Sequence, residues 1–71
     1  MAVITATRFA PSHYVLNTNR VELGQQFTAH GETFEVIGEP ITTGWRMVFA
    51  RLREVGGRHD GNEFGGYLTH N

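Results

Sequence analysis

The sequence predicts an all-β fold, a small antiparallel β-barrel or curved sheet of about five strands, in one domain spanning residues 1–71. Short runs of β-branched and aromatic residues recur along the chain between glycine, proline and asparagine residues. His30 and Gly31 lie between two of these runs, where a two-residue hairpin turn is expected. A chain of 71 residues buries a small core, so its margin of stability should be thin and oligomerisation would help it.

Two short strands are expected near the N-terminus. Residues 3–9 are rich in β-branched side chains and stop before Pro11, which cannot donate a backbone hydrogen bond to a sheet. Residues 13–16 form an apolar run that fits either a strand or a single helical turn. The Asn-Thr-Asn sequence at residues 17–19 then favours a turn, because these side chains bond to nearby backbone groups.

Apolar and polar residues alternate most sharply around His30 and Gly31. Residues 21–23 join this pattern, and Gly24 predicts a bend or bulge after them. Beyond the hairpin, residues 42–44 are expected to form a loop. The alternation predicts that three residues of the hairpin lie in the core: Phe27, Phe34 and Val36.

Residues 45–55 fit two different elements. With a period of 3.6 they form one apolar stripe ending at Gly56, as in a helix packed on an antiparallel sheet. We favour a strand, because every preceding element is predicted to be β. With a period of two, the strand has one face containing Trp45, Met47 and Phe49 and another containing Val48, Ala50 and Leu52.

The last element is a short strand over residues 64–68, which follows a turn at Asp60 and Gly61 and is softened by Gly65 and Gly66. The chain alternates short predicted strands with glycine-containing turns, and this pattern resembles that of the small SH3-like barrels, chiefly over residues 20–55. Such barrels bind peptides, bind nucleic acids or serve in assemblies, so the resemblance implies a fold and no particular activity.

Composition excludes several classes. The chain has no cysteine, so neither a disulfide nor a thiolate zinc site can stabilise it. No apolar run approaches the roughly 20 residues of a membrane span, and the first ten residues lack the features of a secretory signal. We therefore expect a soluble, cytoplasmic protein without a membrane partner. The formal charge of −1 argues against strong nonspecific binding to polyanions.

No catalytic signature is present. The glycine pairs lack the order and the lysine of a phosphate-binding loop, and no serine or threonine lies in a nucleophile-elbow setting. His59, Asp60 and Glu63 are close in sequence, but their spacing fits a polar turn better than a metal cage. We expect no enzyme activity, no cofactor, no metal and no small-molecule substrate.

Arginines and aromatic residues supply the candidate binding site, which consists of Trp45, Arg46, Arg51, Arg53, Arg58 and Tyr67. Such residues bind single-stranded nucleic acid by pairing with phosphates and stacking on bases. A purely structural interpretation is also open. Glu32 and Glu35 would then pair with Arg46 or Arg51 across adjacent strands, and Trp45 and Phe49 would be core residues.

We expect a non-catalytic protein-interaction module that binds an unknown protein partner or forms a homo-oligomer. Arg, Trp and Tyr are enriched at interface centres, and an incompletely paired edge strand would invite strand-to-strand pairing. Small size and a basic set made only of arginine suit an accessory or inhibitory protein of a phage or mobile element. The alternative is a small nucleic-acid-binding barrel that uses the arginine and aromatic face.

Overall fold

The computed structural model describes residues 3–71, and over that range the chain forms seven β-strands and no helix. The all-β prediction is confirmed, and so is the strand assignment within residues 45–55. The same range contains no helix with the length and apolar character needed to cross a membrane. The strands are β1 (Ile4–Ala10), β2 (His13–Leu16), β3 (Gln26–Ala29), β4 (Glu32–Val36), β5 (Ile41–Gly44), β6 (Met47–Glu54) and β7 (Glu63–Thr69).

Six of these strands close into a barrel, as in a small SH3-like fold. The order is β4-β3-β1-β2-β7-β6, and β4 pairs back onto β6 to complete the ring. β5 is the extra strand. It pairs with the N-terminal half of β6, through Ile41 with Phe49 and Thr42 with Val48, whereas β4 pairs with the C-terminal half. Among the described residues, β5 therefore has a neighbouring strand on one edge only.

Five of the seven strand pairs are antiparallel, as predicted, and two are parallel. β1 runs parallel to β3, and β2 runs parallel to β7. The β1–β2 hairpin lies between β3 and β7 in the sheet. Each of its two strands therefore pairs with a strand that does not follow it directly in the chain, and both of these pairs are parallel. Alternation in the sequence fixes which side chains face inward, but it carries no information on strand direction.

Buried side chains from five strands form the core, and partly buried side chains of β1 pack against it. Phe27, Phe34 and Val36 are buried, as the alternation predicts. Tyr14 packs against the first two, with ring centroids 5.3 Å from Phe27 and 5.2 Å from Phe34. Burial raises the pKa of Tyr14 above its usual value, an effect that the nearby guanidinium of Arg8 partly offsets. The inward residues of β6 up to Leu52 complete the core together with Leu16 and Leu68.

Two-residue turns join the hairpins. His30 and Gly31 form the predicted turn, with φ of 52° and 78°, the paired positive values of a type I′ turn. Trp45 and Arg46 form another between β5 and β6, where Arg46 has φ of 58°. That turn was not predicted, because neither residue is one that favours a left-handed conformation.

Three segment predictions need correction. Residues 21–23 form a turn-containing connection rather than part of a strand, and residues 42–44 belong to β5 rather than to a loop. β5 escaped prediction because all its side chains are exposed, and only its backbone pairing with β6 defines it. The last strand extends to seven residues despite Gly65 and Gly66. A β-carbon on Gly65 would crowd the Phe49 ring, and one on Gly66 would crowd the buried Leu52 side chain, so glycine allows β6 and β7 to approach closely here.

Candidate interaction surface

A row of mainly aromatic side chains crosses the outer face of the barrel. Strand register places the members side by side: His13 opposite Tyr67, Tyr67 opposite Phe49, and Phe49 opposite Ile41. Phe9 extends the row beyond β2, with its ring 5.2 Å from that of His13. We call this set the outer aromatic row; its members are Phe9, His13, Tyr67, Phe49 and Ile41.

Solvent reaches most of the outer aromatic row. The exposed fractions are 74% for Phe9, 62% for Ile41, 44% for Tyr67 and 36% for Phe49. Residues of these types are usually buried, so their alignment on one face distinguishes this surface from scattered exposed apolar residues.

Neighbouring groups hold the rings of the row in place. The Phe49 and Tyr67 rings meet edge to face with centroids 5.1 Å apart, and the Phe49 ring also lies over Gly65. His13 lies 6.3 Å from the Tyr67 ring, and its Nε2 atom lies 2.9 Å from Oγ1 of Thr69. These contacts restrict the rotamers of Phe49, Tyr67 and His13 without covering the rings, which lowers the side-chain entropy that these three residues lose when a partner binds.

A second apolar strip widens the face towards the β5–β6 turn. Register places Val15 opposite Thr69 and Thr69 opposite Met47, parallel to the outer aromatic row. Trp45 stands beyond this strip at the tip of the turn and is 84% exposed. Neither strip contains an acidic residue, an arginine or a lysine. The outer aromatic row therefore crosses five adjacent strands, the second strip crosses three of them, and apolar side chains predominate in both.

The six residues predicted from the sequence to form the binding site do not lie in one patch. Trp45 and Arg46 precede β6, and the Arg46 guanidinium carbon lies 4.2 Å from the Trp45 ring centroid. Arg58 follows β6, whose eight residues span about 26 Å at the usual rise per residue. Arg46 and Arg58 therefore lie near opposite ends of the strand. Of the six, Tyr67 alone belongs to the outer aromatic row.

Arg51 and Arg53 point outward from β6 and meet carboxylates. Arg53 Nη2 donates to Glu35 Oε1 at 2.9 Å, and Arg51 Nε lies 3.5 Å from Glu63 Oε1. Cross-strand ion pairs were predicted, but with different members. Glu35 faces Arg53 rather than Arg46 or Arg51, because the β4–β6 register sets those two residues opposite each other. Exposed pairs of this kind contribute about 0–1 kcal/mol each.

The structural interpretation of Trp45 and Phe49 as core residues is wrong. Trp45 lies in a turn outside the barrel, and Phe49 is on the outward side of β6. The core side of that strand is occupied by Val48, Ala50 and Leu52, which is the second of the two predicted faces.

Sequence reasoning missed most of the outer aromatic row. The period of two in the sequence separates Phe49 from Val48 and Ala50, so the outward position of Phe49 could be predicted. Ile41 could not be assigned, because it joins the row only through the register of β5 with β6. Phe9 could not be assigned either, because it lies at the irregularity in the β1–β2 register and joins the row through its contact with His13. His13 lies between Phe9 and Tyr67 in the row, and Tyr67 comes from a distant part of the sequence.

The opposite end of β6 carries a polar hollow of about 480 Å³ near the β6–β7 connection. Glu54 is buried on the inward side there, and Glu32, Arg58 and His59 also line the hollow. Across residues 3–71, His, Asp and Glu side chains do not gather into a group of three that would hold a metal ion.

Comparison with known proteins adds no relative: no family model, no curated protein and no solved structure matches this chain.

Proposed function

We propose that this protein is a non-catalytic protein-interaction module that binds a protein partner across the outer aromatic row. The observation that carries the proposal is the alignment of exposed Phe9, Tyr67, Phe49 and Ile41 on one outward face. Contiguous apolar surface of this kind is characteristic of interaction sites, whereas single exposed apolar residues are normal on any protein.

The chemistry of the face indicates the kind of surface that it fits. Aromatic residues and methionine are enriched at the centres of protein interfaces, where charged residues are depleted. Here the Arg51–Glu63 and Arg53–Glu35 pairs lie towards the other end of β6 and leave the apolar strips uncharged. We expect the partner to present an apolar surface with few charges opposite the row and polar groups at its margin.

Small size and composition support a more specific role within this proposal. A domain of 71 residues with one apolar face is suited to occupying a surface of a larger protein, as accessory and inhibitory proteins of phages and mobile elements do. We propose that it acts in this way in the cytoplasm.

Affinity capture from a lysate of the source cells tests the proposal. Tyr67→Lys places a charge in the middle of the row, and Gln26→Lys places the same charge on the outer side of β3, opposite Glu35. We expect the wild type and Gln26→Lys to retain the same protein, and Tyr67→Lys to retain at least about tenfold less. Melting curves confirm that both variants fold. A partner held equally by all three proteins, or no partner, would contradict the proposal.

Nucleic-acid binding is the second candidate, favoured by the exposed Trp45 and Arg46 turn and by Arg58, which makes no ion pair within residues 3–71. Against it, Arg51 and Arg53 are already beside carboxylates. Titration of labelled single- and double-stranded oligonucleotides distinguishes the two. Binding that falls steeply with salt and drops on Arg46→Ala would favour nucleic acid; absence of binding at low salt would exclude it.

A further inference from the structure

We propose that the free edge of β5 pairs with the same edge of a second copy of this chain, antiparallel about a two-fold axis. The resulting dimer joins two outer aromatic rows into one longer face. The dimer contact itself is formed by residues on β5 and beside it and does not depend on the proposed function. Only the statement that the dimer lengthens the docking face rests on that function.

β5 has an open edge. Within residues 3–71 it pairs with β6 alone, and no backbone hydrogen bond outside that ladder involves Ile41, Thr42, Thr43 or Gly44. All four residues are exposed, and none is charged. Edge strands in soluble proteins are usually protected by charged side chains, by proline or by bulges. Here Pro40 precedes the strand, and the pairing of β5 with β6 is irregular between Thr42 and Gly44. Both features limit how many residues can pair with another strand, but the backbone between them stays accessible.

Symmetry restricts how two β5 edges can meet. In an antiparallel pair of strands, hydrogen-bonded and non-hydrogen-bonded residue pairs alternate along the ladder. A two-fold axis between two adjacent residue pairs would make them equivalent, which this alternation forbids. The axis must therefore pass through a position at which a residue faces its own copy. An axis at Thr42 places Ile41 opposite Thr43 of the second copy, and an axis at Thr43 passes through the residue that the β5–β6 register skips. Either axis sets the beginning of β5 in one copy, which follows Glu39 and Pro40, beside the end of β5 in the other copy, where the Trp45–Arg46 turn begins.

Charge complementarity identifies a second copy as the occupant. Glu39 and Arg46 are both exposed, and neither makes an ion pair in the described part of the chain. They flank the β5 edge at its two ends, one before Ile41 and one after Trp45. Antiparallel pairing therefore brings Glu39 of each copy near Arg46 of the other, twice by symmetry. An arbitrary extended peptide would not supply this arrangement.

The outer aromatic row ends at the same edge. Ile41 is its last member and lies on β5, so pairing of two β5 strands sets the Ile41 side chains of both copies close to the two-fold axis. A contact built on four-residue strands is small, so we expect a dimer that dissociates in the micromolar range, as is usual for small transient interfaces.

Sedimentation equilibrium from about 1 to 500 µM tests the pairing. Arg46→Glu sets two glutamates against each other, and Glu39→Arg sets two arginines, so each should raise the dissociation constant at least about tenfold. The double variant with both substitutions should return to within about threefold of the wild type, because the pair is restored in reverse. Arg58→Glu changes the net charge as Arg46→Glu does, at the far end of β6, and should leave the dimer unchanged.

Other results would overturn the inference. A wild type that stays monomeric over the whole concentration range contradicts the inference. So does a dimer whose dissociation constant neither charge reversal raises, or a double variant that dimerises no better than the single variants. A dimer lost on Tyr67→Lys but kept by the charge variants would place self-association on the aromatic row instead of β5. The capture experiment with Tyr67→Lys is independent of β5, so the docking proposal and the dimer can fail separately.

Discussion

The two halves of β6 share an inward face but differ on their outer sides and at their lateral edge. In the C-terminal half, β4 closes the barrel, and the outward Arg51 and Arg53 meet carboxylates. In the N-terminal half, β5 takes the place of β4, and the outward Met47 and Phe49 remain apolar. We call these the closed half and the open half. The same alternation thus completes the barrel at one end and exposes an apolar surface at the other.

This difference separates what the fold requires from what it does not. Ion pairs on the closed half satisfy their own charges within the monomer. The open half carries apolar area that the monomer does not bury, on a strand with an unpaired edge. Burial of apolar area is the main favourable term in folding, so area left exposed is available for association. Substitutions of the outward residues of the open half should therefore affect binding more than stability.

The largest effect is expected in the core beside the closed half. Phe34 faces inward opposite Glu54, and its ring contacts Tyr14, Phe27 and Phe64. Phe34→Ala should cost about 3–5 kcal/mol, enough to unfold a domain of this size. Ile41→Ala on the open half should cost less than about 0.5 kcal/mol. Thermal melting measures both. An unchanged midpoint for Phe34→Ala would show that the inward face has been assigned wrongly.

A smaller effect is expected where β7 packs against the middle of β6. A β-carbon on Gly66 would lie 2.7 Å from Cδ1 of Leu52, which is fully buried. Gly66→Ala should therefore destabilise the protein by about 1–3 kcal/mol through overpacking, as denaturant unfolding would measure. The double variant with Leu52→Val should recover part of the loss. A Gly66→Ala variant as stable as the wild type would mean that the two strands are farther apart at this point.

The smallest effect concerns the ion pair between Arg53 and Glu35. A double-mutant cycle with Arg53→Ala and Glu35→Ala should give a coupling free energy of about 0.2–1 kcal/mol that falls as salt is added. The matched cycle for Arg51 and Glu63, whose atoms are farther apart, should give less. Equal couplings would contradict the ranking by distance, and no coupling between Arg53 and Glu35 would mean that this pair does not stabilise the closed half.

Sequence patterns predicted the inward faces better than the neighbours of each strand. A period of two identified Phe27, Phe34 and Val36 as core and separated Phe49 from Val48 and Ala50. The register that pairs Glu35 with Arg53 was not readable, because alternation is unchanged when a partner strand slides by two residues.

The outer aromatic row could not be predicted either, because it too depends on which strands are neighbours and in which register. Its members come from β1, β2, β5, β6 and β7, and they align only once β2 pairs with β7, a contact between distant parts of the sequence. The sequence does not predict β5 as a strand, because its exposed side chains show no alternation between buried and exposed positions. The arginines were grouped by their closeness in sequence, but an extended strand carries Arg46 and Arg58 to opposite ends.

Hydrogen exchange of the protein, alone and bound to its captured partner, tests the central claim that the open half is the docking surface. We expect slower exchange on binding in β5, in the N-terminal half of β6 and in the part of β7 around Tyr67, with little change in β3 and β4. Protection confined to β3 and β4, or to the polar hollow beside Glu54, would contradict the account.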